Sequence, residues 1–294
     1  MKFERWKSKD DYTHAFRLFN KHHTLMNSIY WAYVPTFYYA KHNYTTVVKD
    51  NCNITTHEAF LLSGKNSDRV EDNINKWYKN LKEYDNWTRL NVLVSVNSYF
   101  EIYLSSVISL AIESNPGILY KASKQIDGIR LLKFGDDKNY SFYNISEKIT
   151  KGEWQQRISN YRSTFDYVPD ELKIYNSELE EIRKLRNNMA HSFGRDINLS
   201  RDRKTVRILD TERISLDRLQ RYMSIIREVA RSIDAHLLNN HIGDYEMIHF
   251  YHQIKNDLPK NNEEKELKRK INSLDTKNKG WDYVKGLKFY YDSL

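Results

Sequence analysis

Apolar residues recur at intervals of three and four along most of the chain, which predicts helices rather than strands. The clearest run follows Ser215. Leu219, Tyr222, Met223, Ile226, Val229, Ile233 and Leu237 keep a 3.6-residue period behind a natural N-cap, so a helix is predicted over about 216–240. Leu172, Tyr175, Leu179, Ile182, Leu185 and Met189 form the stripe of another helix over about 171–193, against which the 216–240 helix should pack. A long apolar helix is predicted over about 87–113, stopped by Asn115-Pro116-Gly117 and preceded by a helix over 68–84. An aromatic helix over 11–31 should end near Pro35, and the polar stretch from there to about Thr56 reads as irregular.

Residues 118–165 read as an insertion of short helices broken at Gly128 and at Gly135-Asp136-Asp137, with a turn around Pro169. Thr205–Leu209 and Arg213–Ser215 suggest a small hairpin, and 244–294 a charged tail of three helices broken at Pro259 and at Lys277–Gly280. Four Pro and nine Gly leave few other breaks, and no internal repeat is visible. The expected architecture is all-α, in three parts: an N-terminal aromatic helical extension (1–66), a helical core (67–242) carrying the insertion, and a short charged helical tail (243–294).

The single Cys52 rules out an intrachain disulfide framework and, with a charged N-terminus where a secretory leader needs an apolar run, leads to a cytoplasmic expectation. The Asn-x-Ser/Thr triplets at Asn43 and Asn86 are then accidents of an Asn-rich chain. Residues 24–40 carry no charge and 90–112 only Glu101, but polar residues punctuate both, so they are expected to be buried or interfacial helices and not membrane spans. The net charge of +8 is uneven: between Arg183 and Arg207 eight Lys and Arg face two Asp, a local net of +6. Such a field concentrates polyanions and makes their binding salt-dependent.

Within that field lies Glu181-Ile-Arg-Lys-Leu-Arg-Asn-Asn-Met-Ala-His-Ser-Phe-Gly-Arg195. An Arg holds phosphate through a fork of donors, and a His moves protons near neutral pH, so Arg186 and His191 on one helix end are suited to phosphate-ester chemistry. The spacing alone is weak, because Arg17/His22 and Arg231/His236 share it. The setting distinguishes the 186/191 pair: Asn187 lies four residues before His191 on the same helical face, Arg183 a turn earlier, and Gly194 is placed to end the helix. Both Arg186 and His191 are expected off the buried stripe.

Arg186-Asn-Asn-Met-Ala-His191 resembles the Arg-x4-6-His signature of the HEPN superfamily, all-helical "higher eukaryotes and prokaryotes nucleotide-binding" domains, many of them ribonucleases. Asn187 matches the polar residue that commonly follows the family's Arg. Phe100-Glu101-Ile102-Tyr103-Leu104, within 89–116, is similar to the family's long core helix, so the resemblance spans residues 67–242. It implies a HEPN-like bundle and a metal-independent endoribonuclease. The RNA's 2′-hydroxyl attacks the phosphate, leaving a 2′,3′-cyclic phosphate, with His191 as base or acid, Arg186 on the developing charge and Asn187 orienting. Arg183, Lys184, Arg195, Arg201, Arg203 and Lys204 are expected to bind the substrate backbone. The family's pairing habit implies a homodimer across the Arg186–His191 helix, and its occurrence a toxin or antiviral defence role with an antitoxin or trigger partner. No cofactor or metal is expected. The alternative is a catalytically silent HEPN-like module that dimerises or binds nucleotides or partners.

Other constellations read as structural. His249 and His252 with Asp244 and Glu246 fall short of a fixed metal ligand set, and His22-His23 reads as surface. Glu101, alone in an apolar helix, is expected to pair with a Lys, Arg or Tyr, or else to orient the Arg–His site. Tyr30-Trp31-Ala-Tyr33 and Phe37-Tyr38-Tyr39 suggest core or interface, with base stacking as the functional option. Phosphate-loop, zinc-protease and serine-hydrolase signatures do not occur.

Overall fold

The computed structural model describes residues 3–135, 142–192, 212–274 and 276–294, with the side chains of 143, 144 and 190–192 left aside. Among these residues it contains twelve α-helices and no strand, so the all-α expectation holds. The helices are α1 (His14–Asp50), α2 (Thr56–Phe60), α3 (Ile74–Ser114), α4 (Gly128–Phe134), α5 (Tyr143–Thr150) and α6 (Trp154–Phe165). There follow α7 (Asp170–Ile174), α8 (Asn176–Ser192), α9 (Leu216–Leu237), α10 (Tyr245–Ile254), α11 (Glu263–Asn272) and α12 (Trp281–Ser293). They form two compact units, one of residues 1–20, 99–180 and 225–294, the other of residues 21–98 and 181–224.

In the unit of residues 21–98 and 181–224, two boundaries differ from the sequence expectation. α1 does not stop at Pro35, although proline removes one helix hydrogen bond and crowds the preceding turn. Pro35 and Trp31, whose carbonyl loses its partner, are both exposed, so water can satisfy that oxygen. Beyond it, tertiary contacts overrule the polar composition. Tyr44 stacks on Tyr78 with centroids 3.9 Å apart, its hydroxyl donates to Asn75 at 2.9 Å, and Asn43 donates to the Ala59 carbonyl at 3.2 Å. Likewise the helices expected at 68–84 and 87–113 are the single α3, capped by the Asn73 side chain, which accepts from the amides of Asn75 and Lys76. Asp85 and Asn86, at the expected break, are buried and satisfied. Asp85 pairs with Arg89 at 2.8 Å, while Asn86 donates to the Glu212 carbonyl at 2.8 Å and accepts from the Ile214 amide at 3.0 Å. Leu90, Leu93, Val96, Ile182, Leu185, Leu219 and Tyr222 supply buried apolar surface.

The unit of residues 1–20, 99–180 and 225–294 has an aromatic centre: Phe19 and Tyr103 lie 5.5 Å apart, and Phe100 stacks on Trp154 at 5.9 Å. Phe100, Tyr103 and Leu104 are buried as the core of α3, whereas Ile102 faces solvent. Gly128 proves to be the first residue of α4 and not a break. Asp127 caps that helix at 3.0 Å, and a Cβ on Gly128 would meet the Glu113 carbonyl at 1.7 Å, so only glycine fits. α9 begins in the unit of residues 21–98 and 181–224, where Ser215 caps it as expected, accepting from the Arg218 amide at 3.2 Å. α9 runs on through a π-helical turn, Leu238–Ile242, that ends at Gly243. The 244–294 segment contains the three expected α-helices, with Pro259 and Gly280 in the breaks. Its surfaces Leu267, Ile271, Tyr283, Val284 and Leu287 are fully buried.

α3 is the one described helix long and apolar enough to cross a membrane, and half of its most apolar window is buried within the fold.

Candidate functional site

The 171–193 helix forms as two pieces, α7 and α8, joined at Tyr175. Leu179, Ile182, Leu185 and Met189 are buried along α8 as the stripe predicts. Arg186 follows Ile182 by four residues and so lies on the same side of the helix. It is half-buried, so it lies at the edge of the buried stripe and not wholly in solvent. Its Nη1 donates to Asn187 Oδ1 at 3.1 Å, a bond that fixes the guanidinium relative to the next side chain. Arg183 and Asn187 are also half-buried, and Lys184 is exposed.

α8 continues to Ser192, so His191 lies in its last turn, about 7.5 Å beyond Arg186 along the axis at 1.5 Å per residue. Asn187 and His191 share a face one turn apart. The His191 side chain lies outside the described residues, as do Gly194, Arg195, Arg201, Arg203, Lys204, Arg207 and the 205–209 half of the expected hairpin. Of the basic field, Arg183, Lys184 and Arg186 are described.

A polar clasp holds the N-terminal side of the motif to α9, as the expected packing of the two helices requires. Glu181 accepts from the Tyr222 hydroxyl at 2.5 Å and from Arg218 Nη2 at 3.1 Å, and Arg218 Nε donates to the Tyr222 oxygen at 2.7 Å. Burial, and then the bond to Glu181, pushes the Tyr222 phenol up to about 12, so it stays a donor at neutral pH. Arg213, near the start of α9, pairs with Glu83.

The secondary candidates resolve individually. Glu101 pairs with Arg157 at 3.7 Å, the structural alternative. His23 is buried, not superficial, its Nε2 3.0 Å from the Met223 carbonyl, and His22 lies 3.3 Å from the Ser95 hydroxyl. His252 Nδ1 shares a 2.6 Å hydrogen bond with the Tyr291 hydroxyl. Among the described residues no group of three or more His, Cys, Asp or Glu is arranged to hold a metal. In the aromatic segment Tyr30 is buried, while Trp31, Tyr38 and Tyr39 are exposed.

The pattern missed a set of buried titratable groups. Asp234 accepts from the Thr13 amide at 3.0 Å and hydroxyl at 2.5 Å, and Glu246 accepts from the His14 amide at 3.2 Å, so both serve the N-terminus of α1. Burial pushes Asp234 up to about 6 and Glu246 up to about 7. The signal available was Asp234 set directly after Ile233 on the apolar face of α9.

Comparison with known proteins brings no match to a family model, to a curated protein or to a solved structure.

Proposed function

We propose that this chain is a metal-independent endoribonuclease of the HEPN type, with Arg186, Asn187 and His191 acting on a scissile phosphate. The supporting observation is that one unbroken helix carries all three residues, with the Arg186 guanidinium tethered to Asn187 at 3.1 Å. A tethered fork loses less freedom when it meets a phosphate than a free one does.

The reaction needs no group beyond the side chains and the RNA. The 2′-oxygen attacks phosphorus while its proton passes to one imidazole, and the bond to the 5′-oxygen breaks as that oxygen takes a proton from a second imidazole. One chain's motif supplies one His191, so a homodimer pairing two motifs supplies both. Arg186 offsets the charge that builds on the phosphorane oxygens, with bidentate geometry that Lys does not reproduce. Arg183 and Lys184, with Arg195, Arg201, Arg203 and Lys204, hold the flanking backbone. In this reading the enzyme is cytoplasmic and serves as a toxin or antiviral effector, under the control of an antitoxin or trigger protein.

Incubation of the full chain with single-stranded RNA in excess chelator tests the chemistry. The expected products carry 2′,3′-cyclic phosphate and 5′-hydroxyl ends. Cleavage that appears only when a divalent ion is added overturns the proposal, and RNA left intact in both conditions favours the silent dimerisation or partner-binding module.

A further inference from the structure

A cleft of about 730 Å³ opens within the unit of residues 1–20, 99–180 and 225–294. Its walls include His236, His241, Lys124, Phe165, Tyr167 and Asn239, and no Asp or Glu among the described residues. Its volume is that of a site for a small organic molecule.

The two histidines stand where α9 passes into its π-helical turn, with ring centroids 5.5 Å apart and planes at 73°. Each is held through Nδ1. His236 Nδ1 lies 2.7 Å from the Tyr161 hydroxyl, and His241 Nδ1 accepts from Asn115 Nδ2 at 3.2 Å. Among the described residues neither ring makes a further hydrogen bond, and neither Nε2 is sealed from solvent. Because His241 Nδ1 accepts, the proton of the neutral ring sits on Nε2, a donor available to the cleft. Burial pushes both imidazoles down to about 4, so at neutral pH they do not repel a cation or each other.

The walls are of two kinds. One is aromatic: Tyr167 lies 4.8 Å from His236 at 36°, and behind it the buried Phe165 packs on His241 at 5.1 Å. Tyr167 is half exposed, so part of its ring is open to a ligand. The other is a donor set: exposed Lys124, the His241 N–H and the second N–H of the Asn239 amide, whose first donates to the Ala235 carbonyl at 2.8 Å. A part-exposed aromatic ring beside a cation and neutral donors matches a planar ring that carries a phosphate, and the nearby Asp166 carboxylate, which acts on His241, is itself paired with Lys121 at 3.0 Å.

We propose that this cleft binds a phosphorylated aromatic small molecule of the nucleoside monophosphate class, the phosphate on Lys124 and His241 and the base against the exposed part of the Tyr167 ring. The site uses no residue of the Arg186 motif, so it stands or falls separately from the ribonuclease reading. A pair of neutral imidazoles also suits a transition metal, but among the described residues no third ligand joins them.

The test is calorimetry and histidine side-chain NMR on the full chain, with 5′-AMP, adenosine, inorganic phosphate and zinc ion as separate probes. Lys124 has a left-handed backbone (φ +62°), which Asn tolerates, so Lys124→Asn removes the charge without straining the turn. The expected result is saturable 5′-AMP binding that shifts both His236 and His241, weakened about tenfold or more in Lys124→Asn and in Tyr167→Leu, with adenosine and phosphate each weaker than 5′-AMP. Three results overturn the proposal: no saturable 5′-AMP binding at millimolar concentration, unchanged affinity in both variants, or ring shifts produced by zinc and not by 5′-AMP.

Discussion

Replacing Asp127 with Ala should destabilise the protein by about 4 kcal/mol. Asp127, 8% exposed, faces Arg5, 5% exposed, and its carboxylate accepts from Nε at 3.1 Å and Nη2 at 3.1 Å. It also caps α4 through the Ile129 amide at 3.0 Å and accepts from the Tyr290 hydroxyl. Breaking a buried ion pair by removing one partner costs roughly 3–5 kcal/mol, because a charge is left uncompensated, and losing an N-cap adds about 1 kcal/mol. Arg5 keeps its bonds to the Ile242 carbonyl at 2.7 Å and to Ser114 Oγ at 2.8 Å, which places the pair's share at the low end of its range. A loss of about 4 kcal/mol is a large part of a domain's stability of roughly 5–15 kcal/mol. Urea unfolding followed by circular dichroism measures it. Asp127→Asn keeps the cap but leaves the Arg5 charge uncompensated, so it should cost less by about the 1 kcal/mol of the cap. Arg5→Met combined with Asp127→Ala should cost less than the two singles added, since no lone charge remains. A cost below about 1 kcal/mol for Asp127→Ala, or strict additivity in the double variant, would refute the reasoning.

Two further predictions concern proton linkage and the proline in α1. Burial holds protons on Asp234 and Asp244, each raised to about 6, and on Glu246, raised to about 7. The folded chain therefore binds more protons than the unfolded one between about pH 4 and 7, and these groups lower stability as pH rises through that window. His236 and His241, lowered to about 4, act oppositely: the unfolded chain takes up protons that the folded rings refuse, so their contribution rises with pH up to about 6.5. The opposing slopes are separable by mutation. Asp234→Asn should make stability rise more steeply between about pH 4 and 6 than in the parent, and His241→Gln less steeply between about pH 4 and 6.5; urea midpoints that stay parallel to the parent for both contradict the assignment. Pro35→Ala, at an exposed position inside α1, should restore a helix hydrogen bond and raise stability by about 1–3 kcal/mol in the same assay, and a fall in stability would show that the proline is accommodated by other means.

Elements whose ends are set by local chemistry were legible in the sequence. Ser215 announced α9 because a cap and a sustained 3.6-residue period agree, and Pro259 and Gly280 marked the breaks among the last three helices. Elements decided by distant partners were not. The continuation of α1 past Pro35 depends on Tyr44 meeting Tyr78, and the continuity of α3 through Asp85-Asn86 depends on Arg89, Glu212 and Ile214. The site divides similarly. Arg186, Asn187 and His191 announced themselves by type and spacing, but the half-burial of Arg186 follows from its place beside Ile182. Of the two Arg-x4-His pairs set aside for want of a polar stripe, Arg231/His236 contributes one of the paired cleft histidines. Its neutrality comes from burial, which residue spacing does not encode.

The ribonuclease account is tested most directly by RNA cleavage in excess chelator by the full chain beside Arg186→Ala, Arg186→Lys and His191→Ala, each checked for unchanged helicity. The account predicts that the parent chain cuts and that each alanine variant loses about 100-fold or more. Arg186→Lys should stay well below the parent, because a point charge does not reproduce the fork. Equal cutting by all four proteins would contradict the account, as would a folded parent chain that leaves RNA whole.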